Sequence, residues 1–372
     1  MERMIRTRRA HAVLVALTAL AVAVGCGSDR SGPADAGDGQ RAGVERALGS
    51  RAGYRGAADG PRAQPSRAVV FVAADLTNGG IAGVARGVQQ AARAIGWPLR
   101  ILDGQASPDG RRRALQAAIA LHPGGIILGG FDAGEQKREL RRARARGIPV
   151  VGWHAGARPG PDPRNHLFAN VTTDPTAVAR LAARYAIADS GGTAQAVIFT
   201  DSEFAIAARK AQVMEAELRS CRRCSVLAVI DTPIAAAEQR MPAIVTSLVE
   251  RFGARFRYLL AINGAYIAGA RAGLVGAGRR PDDPPFGVAA GDGDAAEFQR
   301  IRSGDYQRAS IAEPLYLQGW QLIDELNRAH ARQAASGYVA PPRLITKDDV
   351  PDGGVFDPPG DYRRNYTRIW GL

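Results

Sequence analysis

Val69-Val70-Phe71-Val72-Ala73-Ala74-Asp75-Leu76-Thr77-Asn78-Gly79-Gly80 is the stretch on which the fold turns. It opens on six apolar residues without a polar break, three of them β-branched, a pattern suited to a short strand covered on both faces. Turn formers follow, and from Ile81 the apolar residues recur at helical spacing to residue 95. A buried strand running into an amphipathic helix is the first half of a crossover between parallel strands. The pattern continues outward, predicting strands at 68–73, 125–128, 148–151, 196–200, 226–230, 258–262, 286–290 and 309–312. Helices are predicted between them at 81–95, 111–120, 135–146, 176–188, 206–218, 241–251 and 315–329, with a weaker last strand near 343–350. Roughly 300 residues of such alternation exceed one core, so an α/β chain with two parallel sheets in two lobes is expected. Ligands of open parallel sheets bind beyond the carboxyl ends of the strands, so the residues after each strand are the candidates for function.

Upstream, residues 1–26 read as an export address: Arg3, Arg6, Arg8 and Arg9, then an apolar run over 12–24, then Gly25-Cys26. Thirteen apolar residues are short for a membrane span, which needs about 20, but suit a secretory signal. Ala23-Val24-Gly25-Cys26 resembles the lipobox of bacterial lipoproteins, which implies cleavage after residue 25 and a lipid on Cys26. Residues 26–66, rich in Gly, Ala, Ser and Pro, then read as a flexible lipidated tether. The expected location is the periplasm or cell surface, held to a bacterial membrane through the N-terminal lipid.

The formal charge of +13 invites a nucleic-acid partner, but losing four arginines and Glu2 with the signal lowers it to +10, and an exported chain meets no nucleic acid. Cys221 and Cys224 remain after Cys26, and in an oxidising compartment this isolated pair is expected to form a disulfide. It lies between a helix and a strand rather than at a helix N-terminus, which argues against redox catalysis, and it has no second Cys/His pair to make a zinc site. No Gly-x-Ser-x-Gly, His-Glu-x-x-His or Walker motif occurs in the sequence. Neither a metal nor another cofactor is expected, and binding without chemistry is the simpler account than an enzyme.

The opening stretch, Gly125-Ile126-Ile127-Leu128, Arg146-Gly147-Ile148-Pro149-Val150-Val151 and Val288-Ala289-Ala290-Gly291-Asp292-Gly293, in that order, resemble landmarks of the ribose/galactose-type periplasmic solute-binding proteins, the receptors of ABC importers. The resemblance runs from about residue 67 to 330. It implies the type I periplasmic-binding-protein fold, two Rossmann-like lobes joined by a multi-strand hinge of three crossovers and closing on a ligand. The expected division is 67–171 plus 314–343 for the N-terminal lobe and 172–313 plus 344–372 for the C-terminal lobe. Repressors that share the fold open on a helix-turn-helix module, whereas this chain opens on an export signal.

The same resemblance nominates ligand residues, each with a plainer alternative. Asn78 stands where the family has a binding Asn, or is a turn former beside Gly79-Gly80. His154, after Ile-Pro-Val-Val, replaces the usual Asp, and is otherwise a loop histidine. Lys210 stands at the position of a ligand-contacting arginine, or on a solvated helix face. Asn263 ends a strand but is followed by Gly264 instead of Asp. Asp292 matches the family's ligand carboxylate, and could also cap the next helix. Glu313 replaces a customary Gln, which favours a donor-rich or cationic ligand. The aromatic pair expected after Asn78 is Gly80 and Ile81, so Trp153, Phe204, Tyr266 and Tyr316 are the candidates for an aromatic wall. The expected function is capture of a small polar solute, sugar or polyol, by a monomer that hands it to an ABC permease. The alternatives are a sensory receptor feeding a histidine kinase or chemoreceptor, and an exported enzyme on the same fold.

Overall fold

The computed structural model describes Tyr54 and residues 56–372. The expected signal at 1–25 and the expected lipidation site Cys26 lie outside the described residues. The first sheet runs in the order β2-β1-β3-β4-β6-β5, built from β1 (Val69–Ala73), β2 (Leu99–Asp103), β3 (Gly125–Gly129), β4 (Val150–Trp153), β5 (Gly160–Asp162) and β6 (Leu167–Val171). The second runs β12-β11-β10-β9-β7-β8, from β7 (Gln195–Thr200), β8 (Ser225–Asp231), β9 (Tyr258–Ala261), β10 (Phe286–Ala289), β11 (Gln307–Ala312) and β12 (Arg343–Ile345). All neighbours are parallel except β5 on β6 and β12 on β11. The molecule thus has the two α/β lobes, each on a mostly parallel sheet, that the alternation predicts, and β1 and β3 are buried along their whole length. Both sheets reverse strand order once, between β1 and β3 and between β7 and β9, and the crevices open at these two points.

Helices α1 (Gly79–Ile95), α2 (Pro108–Ala120) and α3 (Lys137–Ala145) cover the first sheet. The second carries α4 (Pro175–Asp189), α5 (Ala205–Ser220), α6 (Ala237–Phe252), α7 (Ala265–Gly276) and α8 (Ala295–Ser303). The chain then returns, and α9 (Leu315–His330) packs on α1, β4 and β6. No helix among the described residues is long and apolar enough to cross a membrane. Cys221 and Cys224, just past α5, are joined with an S–S distance of 2.07 Å.

Two segments depart from expectation. The tail does not stay with the second lobe: after β12 it crosses again, and α10 (Tyr362–Trp370) buries Tyr362, Tyr366, Ile369 and Trp370 in the first lobe's core. Trp370 stacks on Trp320 of α9 with ring centres 5.6 Å apart, and its Nε1 donates to the buried Asp324 at 2.9 Å. The chain therefore passes between the lobes a fourth time. The segment expected to be tether is likewise docked from Tyr54 onward, because that ring fits among Tyr338, Tyr362 and Tyr366. Backbone bonds hold the residues after it: Ala63 N donates to Trp370 O at 2.9 Å and Gln64 N to Asn327 Oδ1 at 2.9 Å. Four aromatic groups and a buried polar ladder outweigh the disorder that the Gly-rich composition suggests.

Candidate functional site

A cavity of about 140 Å³ lies between the lobes, lined by residues at and after the ends of β1 to β4 and β7 to β10. Asn78, His154, Lys210, Asn263 and Asp292 all reach it, as do Trp153 and Phe204. Glu313 does not line it but stands directly behind, fully buried. Tyr266 and Tyr316 do not line it. Tyr266 points into the second lobe's core against Phe199 and donates its hydroxyl to Thr232 O at 2.7 Å. Tyr316 sits on α9, where its backbone comes so near Gly87 of α1 that a Cβ there would stand 2.5 Å from its carbonyl oxygen.

The floor is a chain of buried charges. Glu313 accepts from His154 Nε2 at 3.1 Å, Gln318 Nε2 at 3.1 Å, Thr173 N at 3.4 Å and Lys210 Nζ at 3.5 Å. Burial opposes its charge, but His154 and Lys210 beside it win and hold its carboxyl well below the usual range. His154 follows β4 in a left-handed conformation, φ 52°, and stacks on Trp153 with centroids 3.8 Å apart. Trp153 Nε1 donates to Gln318 Oε1 at 2.8 Å, so one side-chain network fixes ring, imidazole and carboxylate together. Lys210 is the buried exception among the chain's three lysines: α5 turns it inward and it is 3% exposed. His154, Asp292 and Glu313 place ligand atoms within 4.8 Å of one another, a separation that could hold a cation. The Lys210 ammonium already supplies a positive charge to that cluster.

Asp292 accepts from Asn263 Nδ2 at 2.7 Å through one oxygen, and burial pushes its carboxyl up despite Lys210 and His154. It does not cap the next helix: Asp294 does, accepting from Glu297 N at 2.8 Å. Asn78 is both cap and candidate ligand, for its Oδ1 accepts from Ile81 N at 3.1 Å and the residue lines the cavity. The two glycines after it have a spatial reason. A Cβ on Gly80 would strike the Asp292 carboxylate and one on Gly79 that of Asp294, so the second lobe's carboxylates rest against the N-terminus of α1. Side chains there would keep the lobes apart, and the helix dipole favours the negative charge.

Sequence reasoning passed over the supports of this site. Glu297 accepts from Asp292 N at 3.2 Å and Gly293 N at 3.0 Å and so shapes the loop that presents Asp292. Across the mouth, Asp132 after β3 accepts from Ala205 N of α5 at 2.7 Å, and Arg111 of α2 pairs with Glu135 at 3.0 Å and with Glu203 of the other lobe at 3.8 Å. These groups latch the lobes together. Asp132 was open to the strand-end rule; Arg111, in the first turn of α2, stands eight residues beyond the end of an edge strand and gave no signal.

Burial pushes the carboxyls of Glu297 and of Glu325 on α9 up to about 7. The folded chain then holds protons that the unfolded chain releases, so this stability is present below the unfolded value and is lost as pH rises through about 7. Glu313 works in the opposite sense and loses its contribution only as pH falls below the ordinary carboxylate range. The expected result is a melting temperature several degrees higher at about pH 5.5 than at about pH 8. Glu325→Gln flattens that difference, and a melting curve that rises with pH over this window contradicts the assignment.

The chain matches the family described as "Periplasmic binding protein domain" over residues 69–333. No curated protein matches it in sequence. Among solved structures, it is similar to an ABC transporter solute-binding protein from Agrobacterium vitis bound with α-D-tagatopyranose: TM-score 0.69 and 17% identity, covering 78% of this chain and 97% of that one. GanP, a glucose-galactose binding protein from Geobacillus stearothermophilus, gives 0.65 and 20%, covering 77% and 100%. An ABC transporter solute-binding protein from Mycobacterium smegmatis with bound glycerol gives 0.65 and 18%, covering 77% and 96%. At these identities the likeness is one of fold.

Proposed function

The chain belongs to the periplasmic binding protein family, and on that premise we propose that it is the extracytoplasmic solute receptor of an ABC importer. It captures a small polar solute, a sugar or polyol, between its lobes, closes, and presents the closed form to a permease. The observation that carries this reading is the inter-lobe cavity floored by Asn78, His154, Lys210, Asn263 and Asp292, with Glu313 behind them. A neutral hydroxyl donates to a carboxylate and accepts from an ammonium at once, which suits a floor where both signs alternate. The sugar- and glycerol-bound neighbours support the same class. Because contacts come from both lobes, affinity depends on the population of the closed form. The exported, lipid-anchored state read from residues 1–26 and a monomeric state are part of the proposal. The same cleft would serve a membrane sensor, and a neighbour of the same fold is solved as the XylFII–LytSN complex.

A thermal-shift panel of sugars, polyols, amino-sugars and small amines against the purified protein tests this. A hit is expected to lose most of its shift in Asp292→Ala and in Lys210→Ala, since removing a charged hydrogen-bond partner costs about 1.5–3 kcal/mol. An undiminished shift in both variants rejects the cleft as the binding site, and turnover of the hit by the purified protein would replace the receptor with an enzyme. Uptake of the hit by cells that lose it on deletion of the gene separates importer from sensor.

A further inference from the structure

The cavity is polar where it is deep and apolar where it meets water. Its buried floor carries Lys210 and Asp292, and both keep bonding capacity in hand: among the described residues the Lys210 ammonium has one hydrogen bond, to Glu313 at 3.5 Å, and only one Asp292 oxygen has a side-chain donor, Asn263. The mouth is built differently. Pro108 and Ala235 are exposed there, Phe204, Pro233 and Ile234 are half-buried, and Ile81 and Ile206 continue the apolar wall inward. Of the charged groups at the rim, Arg111 pairs with Glu135 and Glu203 and lies over the Phe204 ring, 5.5 Å from its centre, and Asp75 holds the Thr77 amide and hydroxyl. An apolar rim around a polar floor inverts the gradient that a fully hydroxylated solute prefers, since such a solute would leave apolar side chains facing its own hydroxyls.

We infer that the ligand has two parts, a non-ionic hydroxylated head on the Asp292–Lys210–Asn78 floor and an apolar alkyl or aryl substituent lying on Phe204, Pro233 and Ile234 at the mouth. A neutral hydroxylated head suits this floor because it presents both the Lys210 ammonium and the Asp292 carboxyl, and a hydroxyl serves both as donor and as acceptor. This inference rests on the cleft being a solute site and narrows the class of solute.

The test is calorimetric titration of the purified protein with two homologous series, the methyl to n-butyl β-D-galactosides and the methyl to n-butyl 1-O-ethers of glycerol. Each added methylene is expected to tighten binding about fourfold in at least one series, the equivalent of burying one CH₂. The gain should shrink in Phe204→Ser and in Ala235→Glu, the latter at an exposed position where the fold is not at stake. All members should lose affinity in Asp292→Ala. Binding that depends on Asp292 but is flat or weaker with chain length overturns the two-part ligand and leaves the solute-receptor reading standing. Binding indifferent to Asp292 overturns both, and so does the absence of binding by every member when the free sugars and polyols are also inert.

Discussion

Glu313→Ala is expected to lower the melting temperature by on the order of 10 °C and to abolish ligand binding, the largest effect of any single change in this chain. The carboxylate is fully buried and holds the Lys210 ammonium and the His154 imidazole, together with Gln318 and the Thr173 amide. Removing it strands a buried ammonium, and breaking a buried pair from one side costs about 3–5 kcal/mol. It also frees the imidazole and the Trp153–Gln318 bond from a shared anchor. Glu313→Gln keeps the shape and an acceptor but not the charge, so it should fold better than the alanine variant while still binding poorly. Scanning calorimetry with and without the best hit of the solute panel measures both quantities. A Glu313→Ala protein that melts within a degree or two of the parent would show that the floor is not held by this charge.

Gly80→Ala is expected to cut affinity about 10- to 100-fold while leaving the unliganded protein as stable as before. Alanine is the better helix former at the first turn of α1, so nothing in the first lobe resists it. Its methyl group occupies the place of the Asp292 carboxylate, so the cost falls on the closed arrangement alone. Unchanged affinity would mean that Asp292 does not rest against α1 in the ligand-bound form. The contrast with Glu313→Ala is diagnostic, since one variant loses stability and binding together and the other loses binding only.

The sequence was most informative where a strand is covered on both faces. The continuous apolar runs of β1, β3, β9 and β10 announce themselves, and the residues after β1, β9 and β10 supply Asp75, Asn78, Asn263 and Asp292, half of the cavity's polar groups. Edge and glycine-rich elements were not legible. β2 lies at an edge and alternates with Arg100 and Asp103, leaving Ile101 exposed. β6 carries Asn170, whose side chain serves the backbone of residues 155, 156 and 158 in place of a core contact. α7 lacks an amphipathic period because its glycines are a packing surface: a Cβ on Gly269 would stand 2.6 Å from Ala237 O of α6. The aromatic wall was half legible for a related reason. Trp153 ends β4 and Phe204 follows β7, whereas Tyr266 and Tyr316 sit on helices, and which face such a ring takes is decided by packing that no local pattern encodes.

The central claim is that one solute is held by both lobes at once. Its most direct measurement is a calorimetric titration of the best hit with the parent protein, with Asn78→Ala in the first lobe and with Asp292→Ala in the second. Each variant is expected to weaken binding at least tenfold, about 1.4 kcal/mol or more, with the unliganded melting temperature lowered by a few degrees for the lost cap in one and the unpaired Asn263 amide in the other. Full affinity in either variant would place the solute on a single lobe and contradict capture by closure.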